Sequence, residues 1–292
     1  MQNKILVLGA SGNVGSSVVD YLLQAGQPVA AAVRTIPEAS RLGLEYRCFD
    51  FSRPDTWSAA LAGVARVFLV RPPQISNIRR DMLPFLRFLA GLSLERLVFL
   101  SVQGAGENRL VPHNKVERYC RQLGLPAVFV RPSFFMQNLT TTHCAEICDS
   151  DLLFVPSGSG RTSFVDTRDI GEACGRLLCS AQPVREAYTL TGVAAQTQAE
   201  IAAALSRGLG RTIRYVDPSP LAFLAGHQRR GTAAGFALVM LALYSVVKLG
   251  KGNFVTTELA ELLGRAPRSV DQFIFDYRNV LTPPAALAGA GL

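Results

Sequence analysis

The chain has 292 residues, 49% of them hydrophobic, and a formal net charge of +8. That size and apolar content suffice for one large α/β domain or two linked ones with an ample core, and they exclude a disordered chain. The basic residues come in pairs such as Arg79–Arg80 and Arg229–Arg230 rather than in a dense run. The charge therefore suits a surface that attracts an anionic cofactor or substrate, and no nucleic-acid partner is expected.

Lys4 to Gly15 reads KILVLGASGNVG. Ile5 to Leu8 is an apolar run that predicts a buried strand, and the amphipathic stretch Val14 to Leu23 predicts the helix after it. The N-terminus enters this strand with no basic and then apolar leader, so a cytoplasmic chain is expected. Gly9, Gly12 and Gly15 are spaced as in a Rossmann-type phosphate loop. Gly9 turns the chain off the strand, Gly12 lets the backbone approach a pyrophosphate, and Gly15 seats the helix against the sheet. The free N–H groups at the helix start then receive the diphosphate. The competing reading is a glycine-rich turn without a ligand.

Pro28 to Val33 predicts a second strand, ending in Arg34. An acidic residue there would bind a ribose 2′-hydroxyl, whereas an arginine suits a 2′-phosphate and NADP; an ordinary surface arginine is the alternative. Glu45 to Phe49 predicts strand three. Asp50 after it either meets the adenine or caps the helix near Pro54. Arg66 to Val70 predicts strand four, leaving through Arg71-Pro72-Pro73. A helical pattern from Ile75 to Leu89 is interrupted by Pro84. Glu95 to Ser101 predicts strand five, and the glycine-rich loop Val102 to Pro112 follows. A helix runs from His113 to Leu123, then a strand from Pro126 to Arg131, and Pro132 to Asn138 is expected to open another helix.

This alternation predicts an α/β fold with a doubly wound parallel sheet, and ligands at the carboxyl ends of its strands. The strand-end residues to inspect are Arg34, Asp50, Val70, Arg71, Ser101 and Arg131.

Several segments together resemble the atypical short-chain dehydrogenases of the NmrA-like group. They are GASGNVG at 9–15, Arg34, His113 with Lys115 and Glu117, GLPAVFVRPSFFMQNL at 124–139, SGSGRTSFVDTRDIGEA at 157–173, YTLTG at 188–192 and GRAPRSVDQF at 264–273. The resemblance covers nearly the whole chain. It implies a domain binding NADP(H) and a small C-terminal substrate region, in a group of quinone, dye and imine reductases that also holds NADP-binding regulators. It gives the phosphate-loop role to Gly9, Ser11, Gly12, Asn13, Val14 and Gly15. It carries Pro132, Ser133, Phe134 and Phe135 past the nicotinamide.

Typical short-chain dehydrogenases use a Tyr-x-x-x-Lys dyad to deliver a proton. Counted back from Glu117, the lysine place is His113 and the tyrosine place is Arg109, so the dyad is absent. His113 is the candidate acid, because its ordinary pKa lies near working pH; a hydrogen bond to the nicotinamide ribose is the alternative. Lys115 either depresses that imidazolium or steadies a cofactor phosphate, against a solvated helix face. Ser101 could orient a carbonyl.

Further on, short strands are expected at Leu152–Pro156, Thr162–Val165, Tyr188–Leu190 and Ile213–Val216. A helix should begin at Asp166 or Thr167, and a capping box at Thr197 and Glu200 should start another. The domain reading is 1–155 for the dinucleotide-binding part, with 163–192 returning to it, and 193–292 for a mostly helical substrate region. The apolar run Thr232 to Leu249 is shorter than the ~20 residues of a membrane span, so it reads as a buried or oligomer-facing helix, which leaves room for a homodimer and expects no membrane partner. Phe223, His227, Phe236, Met240, Tyr244 and Phe254 are candidates for a hydrophobic pocket or, alternatively, for core. The six cysteines are expected as reduced thiols, and no metal site is expected. Leu281 to Leu292 reads as a loose tail.

The function this supports is an NADPH-dependent reductase of a small hydrophobic electrophile such as a quinone, conjugated ketone or imine. The alternatives are an NADP(H)-sensing regulatory protein without turnover, and a redox-neutral isomerase or cyclase.

Overall fold

The computed structural model describes residues 4–39 and 41–282. The expected tail from 283 onward lies outside them. The chain divides into two compact units, Met1–Pro132 with Thr167–Leu190 and Thr257–Arg265, and Ser133–Asp166 with Thr191–Thr256 and Ala266–Leu292. Residue 155, expected as the boundary, falls within the second unit, and the chain returns to the first twice.

With elements numbered along the chain, the first unit holds β1 (Lys4–Leu8), α1 (Asn13–Gln24), β2 (Val29–Val33), β3 (Leu44–Cys48), α2 (Trp57–Leu61), β4 (Val64–Val70), α3 (Ile78–Asp81), α4 (Leu83–Ala90), β5 (Arg96–Leu100), α5 (Pro112–Gln122) and β6 (Ala127–Pro132). It also holds α7 (Thr167–Cys179), β10 (Ala187–Leu190) and α11 (Glu258–Leu263). Seven parallel strands form its sheet in the order β10-β6-β5-β4-β1-β2-β3. The central strands are largely apolar because helices cover both faces, with Ile5, Leu6, Val67, Phe68, Val98 and Phe99 fully buried, whereas the edge strand β3, LEYRC, buries none of its residues. The pattern 75–89 resolves into α3 and α4, with Met82 between them and Pro84 in the first turn of α4, the one place where its missing N–H does no harm.

The strand order reverses between β1 and β4, so the switch point of the sheet opens at the ends of these two neighbours. Gly9 leaves β1 at φ +70°, and a Cβ there would stand 2.3 Å from Val70 Cγ1. A Cβ on Gly15 would stand 2.0 Å from the Gly9 carbonyl oxygen, so only glycine lets α1 close on the turn.

The second unit holds β7 (Phe134–Phe135), α6 (Cys144–Ser150), β8 (Leu152–Phe154), β9 (Arg161–Val165), β11 (Ala195–Thr197), α8 (Gln198–Leu209), β12 (Arg214–Val216), α9 (Pro220–Arg229), α10 (Ala234–Lys248) and α12 (Val270–Tyr277). The helix expected from Pro132 is absent. The chain stays extended, Phe134 and Phe135 pair in parallel with Phe164 and Val165, and a short 3₁₀ turn Met136–Leu139 follows. The rings find a partner strand there, and Gln137 is tied to Asp166 by a 2.8 Å hydrogen bond. The capping box of Thr197 and Glu200 is present at α8.

The apolar run expected to be a buried or oligomer-facing helix becomes α10, which buries only the stripe Ala237, Met240, Tyr244 and Val247. Leu238, Val239, Leu243 and Val246 are exposed. No helix among the described residues is long and apolar enough to cross a membrane.

Candidate active site

The first functional feature is the start of α1. Its N-cap is Gly12, in extended conformation, with no side-chain cap and no acidic residue in the first turn. The leading N–H groups of this helix therefore lack the oxygen that Ser, Asp or Asn usually supplies. A Cβ on Gly12 would meet nothing nearer than the Gly9 oxygen at 3.4 Å, so the loop is open above its backbone. Bare amides, a positive dipole end and an open floor suit a diphosphate. Ser11 is exposed at the same turn, and Val14 is buried beneath it.

Arg34 follows β2 and is exposed, with no carboxylate bonded to it among the described residues. Asp50, just beyond β3, accepts from both the N–H (2.8 Å) and the hydroxyl (2.6 Å) of Ser52 on one carboxylate oxygen. These bonds, with Arg34 and Arg53 nearby, hold its carboxyl below the usual range. Asp50 thus organises the turn into α2, while its second oxygen makes no bond among the described residues.

At the end of β5 the geometry assigns Ser101 a partner that the sequence reading did not. Ser101 is buried, and its hydroxyl donates to Glu117 Oε1 at 2.7 Å. Glu117 is fully enclosed on the inner face of α5 and takes two bonds from Arg131, Nε at 3.0 Å and Nη2 at 2.6 Å, plus a longer one from Arg121. Stripping one partner from such an enclosed ion pair costs about 3–5 kcal/mol. Ser101 has its hydrogen committed to this pair and keeps only lone pairs for any ligand. Asn114, also unnoticed in the sequence, is buried and donates 2.7 Å to the Ala105 carbonyl, bracing the loop 102–111. The signal was present: Asn114, Glu117 and Cys120 recur at helical spacing on the face that carries Val116.

His113 sits in the first turn of α5. Its Nε2 accepts from Arg71 Nε at 3.4 Å, its ring lies 6.0 Å from that of Phe99, and its Nδ1 is buried without a partner. Burial, reinforced by the Arg71 charge, pushes its pKa down to about 3. The depressing charge is therefore Arg71 and not Lys115. Two positions along α5, Lys115 turns away from His113. It borders a cavity of about 480 Å³ with Ser76, Asn77, Ile78, Arg79 and Tyr119.

In the second unit, Ser133 is buried with its hydroxyl 3.2 Å from that of Ser163, and the Phe134 ring stacks on Tyr244 at 5.9 Å. Tyr244 is held by His143 Nε2 at 2.7 Å, whose other nitrogen lies 3.1 Å from Glu146; Arg230 donates to the same carboxylate at 2.5 Å. Phe223, His227, Met240 and Tyr244 are core residues, whereas Phe236 and Phe254 are exposed. Burial raises the Tyr244 pKa, so this phenol stays protonated within a satisfied network.

The chain matches two family descriptions, NAD(P)H-binding over residues 9–152 and the NmrA-like family over residues 108–226. It is 31% identical over 278 residues to an NAD(P)H azoreductase of Xenophilus azovorans, covering 92% of this chain and 96% of that protein. The solved NADPH-dependent quinone oxidoreductase of Escherichia coli, complexed with NADPH, superposes with a TM-score of 0.85 at 19% identity, over 94% of this chain and 100% of that one. NmrA, a negative transcriptional regulator solved with NADP, superposes with a TM-score of 0.74 at 17% identity, over 100% and 99%.

Proposed function

We propose that this chain, a member of the NmrA-like family of NAD(P)H-dependent oxidoreductases with NADP(H) as its cofactor, reduces a small, flat, apolar electrophile whose product needs no proton from the protein. Iminium compounds and quinones meet that condition, and a conjugated ketone, a neutral imine or the azo group of the relative's substrates joins the class where water supplies the proton. When bound, the cofactor supplies the hydride. Gly9, Ser11, Gly12, Asn13, Val14 and Gly15 hold the diphosphate. Arg34 takes the 2′-phosphate, Asp50 borders the adenine, and Val70 and Arg71 line the sheet edge beside β1. Pro132 to Phe135 run on from the end of β6 past the nicotinamide, and Lys115 remains a solvated helix-face residue.

The observation that carries this reading is the state of the two candidate acids. The His113 imidazole is neutral, with its pKa pushed down to about 3, and the Ser101 hydrogen is given to Glu117. Neither delivers a proton at neutral pH as the tyrosine of a dyad does. Hydride transfer to a quinone leaves a stabilised phenolate that takes its proton from water, and an iminium carbon needs none. His113 then serves by a hydrogen bond to the ribose.

The same missing acid also favours a second reading, an NADP(H) sensor without turnover. Assaying NADPH oxidation with quinones, triarylmethane dyes, azo dyes and cyclic imines, beside calorimetry with NADPH and NADP, separates the two. Turnover with at least one of these substrates is the expected result. Tight binding with strong redox preference and no turnover across the panel would replace the reductase by the sensor.

A further inference from the structure

At the carboxyl end of β4 the fold holds a cation whose charge no carboxylate answers among the described residues. Arg71 is half-buried. Its Nη1 donates to the carbonyls of Pro72 (3.1 Å), Pro73 (3.3 Å) and Ile75 (2.6 Å), and its Nε donates to His113 Nε2. All four acceptors are neutral, and among the described residues no carboxylate pairs with it. Nη2 makes no hydrogen bond among these residues. With the guanidinium donating to Nε2, the ring proton of His113 sits on Nδ1, which is buried and also lacks a partner. Burial lowers the Arg71 pKa, but a guanidinium does not give up its proton in a protein. A half-buried cation with an unfilled Nη2 and no carboxylate partner among the described residues describes a receiver for an acidic oxygen group.

The cofactor's own anions have receivers elsewhere. Its diphosphate has the bare amides of α1, and its 2′-phosphate has Arg34. β2 and β4 flank β1 on opposite sides, so Arg34 and Arg71 lie on opposite sides of the β1–α1 turn. Beyond the diphosphate on the β4 side a dinucleotide presents only ribose and nicotinamide, and the oxidised nicotinamide is itself a cation.

We propose that Arg71, held in place by its bond to His113, receives an acidic substituent of the substrate, so that the preferred electrophile is an aromatic or conjugated compound bearing one carboxylate, sulfonate or phosphate. This rests on the reductase reading and narrows its substrate class. A purely structural Arg71, stapling the loop 72–75 through its carbonyls, is the rival.

The test uses the full chain, the variants Arg71→Gln and Arg71→Lys, and two probes, a naphthoquinone sulfonate and the parent naphthoquinone. Calorimetry measures each probe in the presence of NADP, where no turnover occurs, and NADPH alone. The wild type should bind the sulfonate at least about tenfold tighter than the parent. Arg71→Gln should erase that preference while leaving affinity for the parent within about twofold, any loss of NADPH affinity should be smaller than the loss for the sulfonate, and Arg71→Lys should keep part of the preference. Equal affinity for the two probes in the wild type would overturn the proposal. So would a variant that weakens NADPH while the probe preference survives, or one that only lowers the melting temperature. Failure of the reductase reading appears separately, as absent NADPH oxidation with either probe while the binding arm stays readable.

Discussion

Arg34 and Arg71 illustrate how one residue type takes its meaning from position. Both end strands, both lack a carboxylate partner among the described residues, and the switch point lies between them. Arg34 is exposed, so its contribution is made only when a ligand arrives. Replacing Arg34 by Ala should weaken NADPH binding by about ten- to a hundredfold and NADH binding by less than about threefold, since only NADPH carries the second phosphate. Calorimetry with the two coenzymes reads this directly, and equal losses would contradict the assignment. His113 and Ser101 make the opposite point. In the sequence they stand where an acid and a carbonyl-orienting hydroxyl belong. The structure spends the hydroxyl hydrogen on Glu117 and keeps the imidazole neutral. Nothing in the sequence gives the burial of His113 or its distance to Arg71, because those depend on where the residues after β4 meet the head of α5.

At the scale of elements, β1, β2, β4, β5 and β6 were legible because parallel strands covered on both faces read as largely apolar runs, a signal that the edge strand β3, LEYRC, does not carry. The glycine spacing was legible because steric exclusion acts over a few residues. Gly15 has the sharpest requirement, since its missing Cβ leaves room for the Gly9 carbonyl. Gly15→Ala should shift that turn, weaken NADPH by about tenfold or more and lower stability by about 2 kcal/mol. Calorimetry and denaturant titration measure the two effects. An unchanged variant would mean that the turn does not hold the cofactor. The segment after Pro132 was not legible. Phe134-Phe135 carries no local preference strong enough to choose helix or strand, and the choice falls to a partner strand, β9, about thirty residues further on. The same limit applies to α10. Its apolar run announced a helix, but which stripe packs inward depends on the core of the second unit. The buried group of Glu117, Arg131 and Ser101 was half visible. Glu117 was noticed as part of a motif, and its pairing across β5 and β6 needed the sheet.

For the whole molecule, the family and the nucleotide-binding fold stand on the full length of the chain, while the chemistry stands on a few side chains of the first unit. The account holds that hydride delivery proceeds without an acid supplied by the protein. With the His113 pKa at about 3, the ring is neutral at every pH above about 5, so its protonation state cannot change over the working range. The most direct measurement is the pH dependence of kcat for NADPH oxidation by a quinone between about pH 5.5 and about pH 8.5, in the wild type and in His113→Asn. The account predicts turnover with kcat constant within about twofold across that range in the wild type, and no titrating limb to lose in the variant. A limb with a midpoint near 6.5 that disappears in His113→Asn would contradict it.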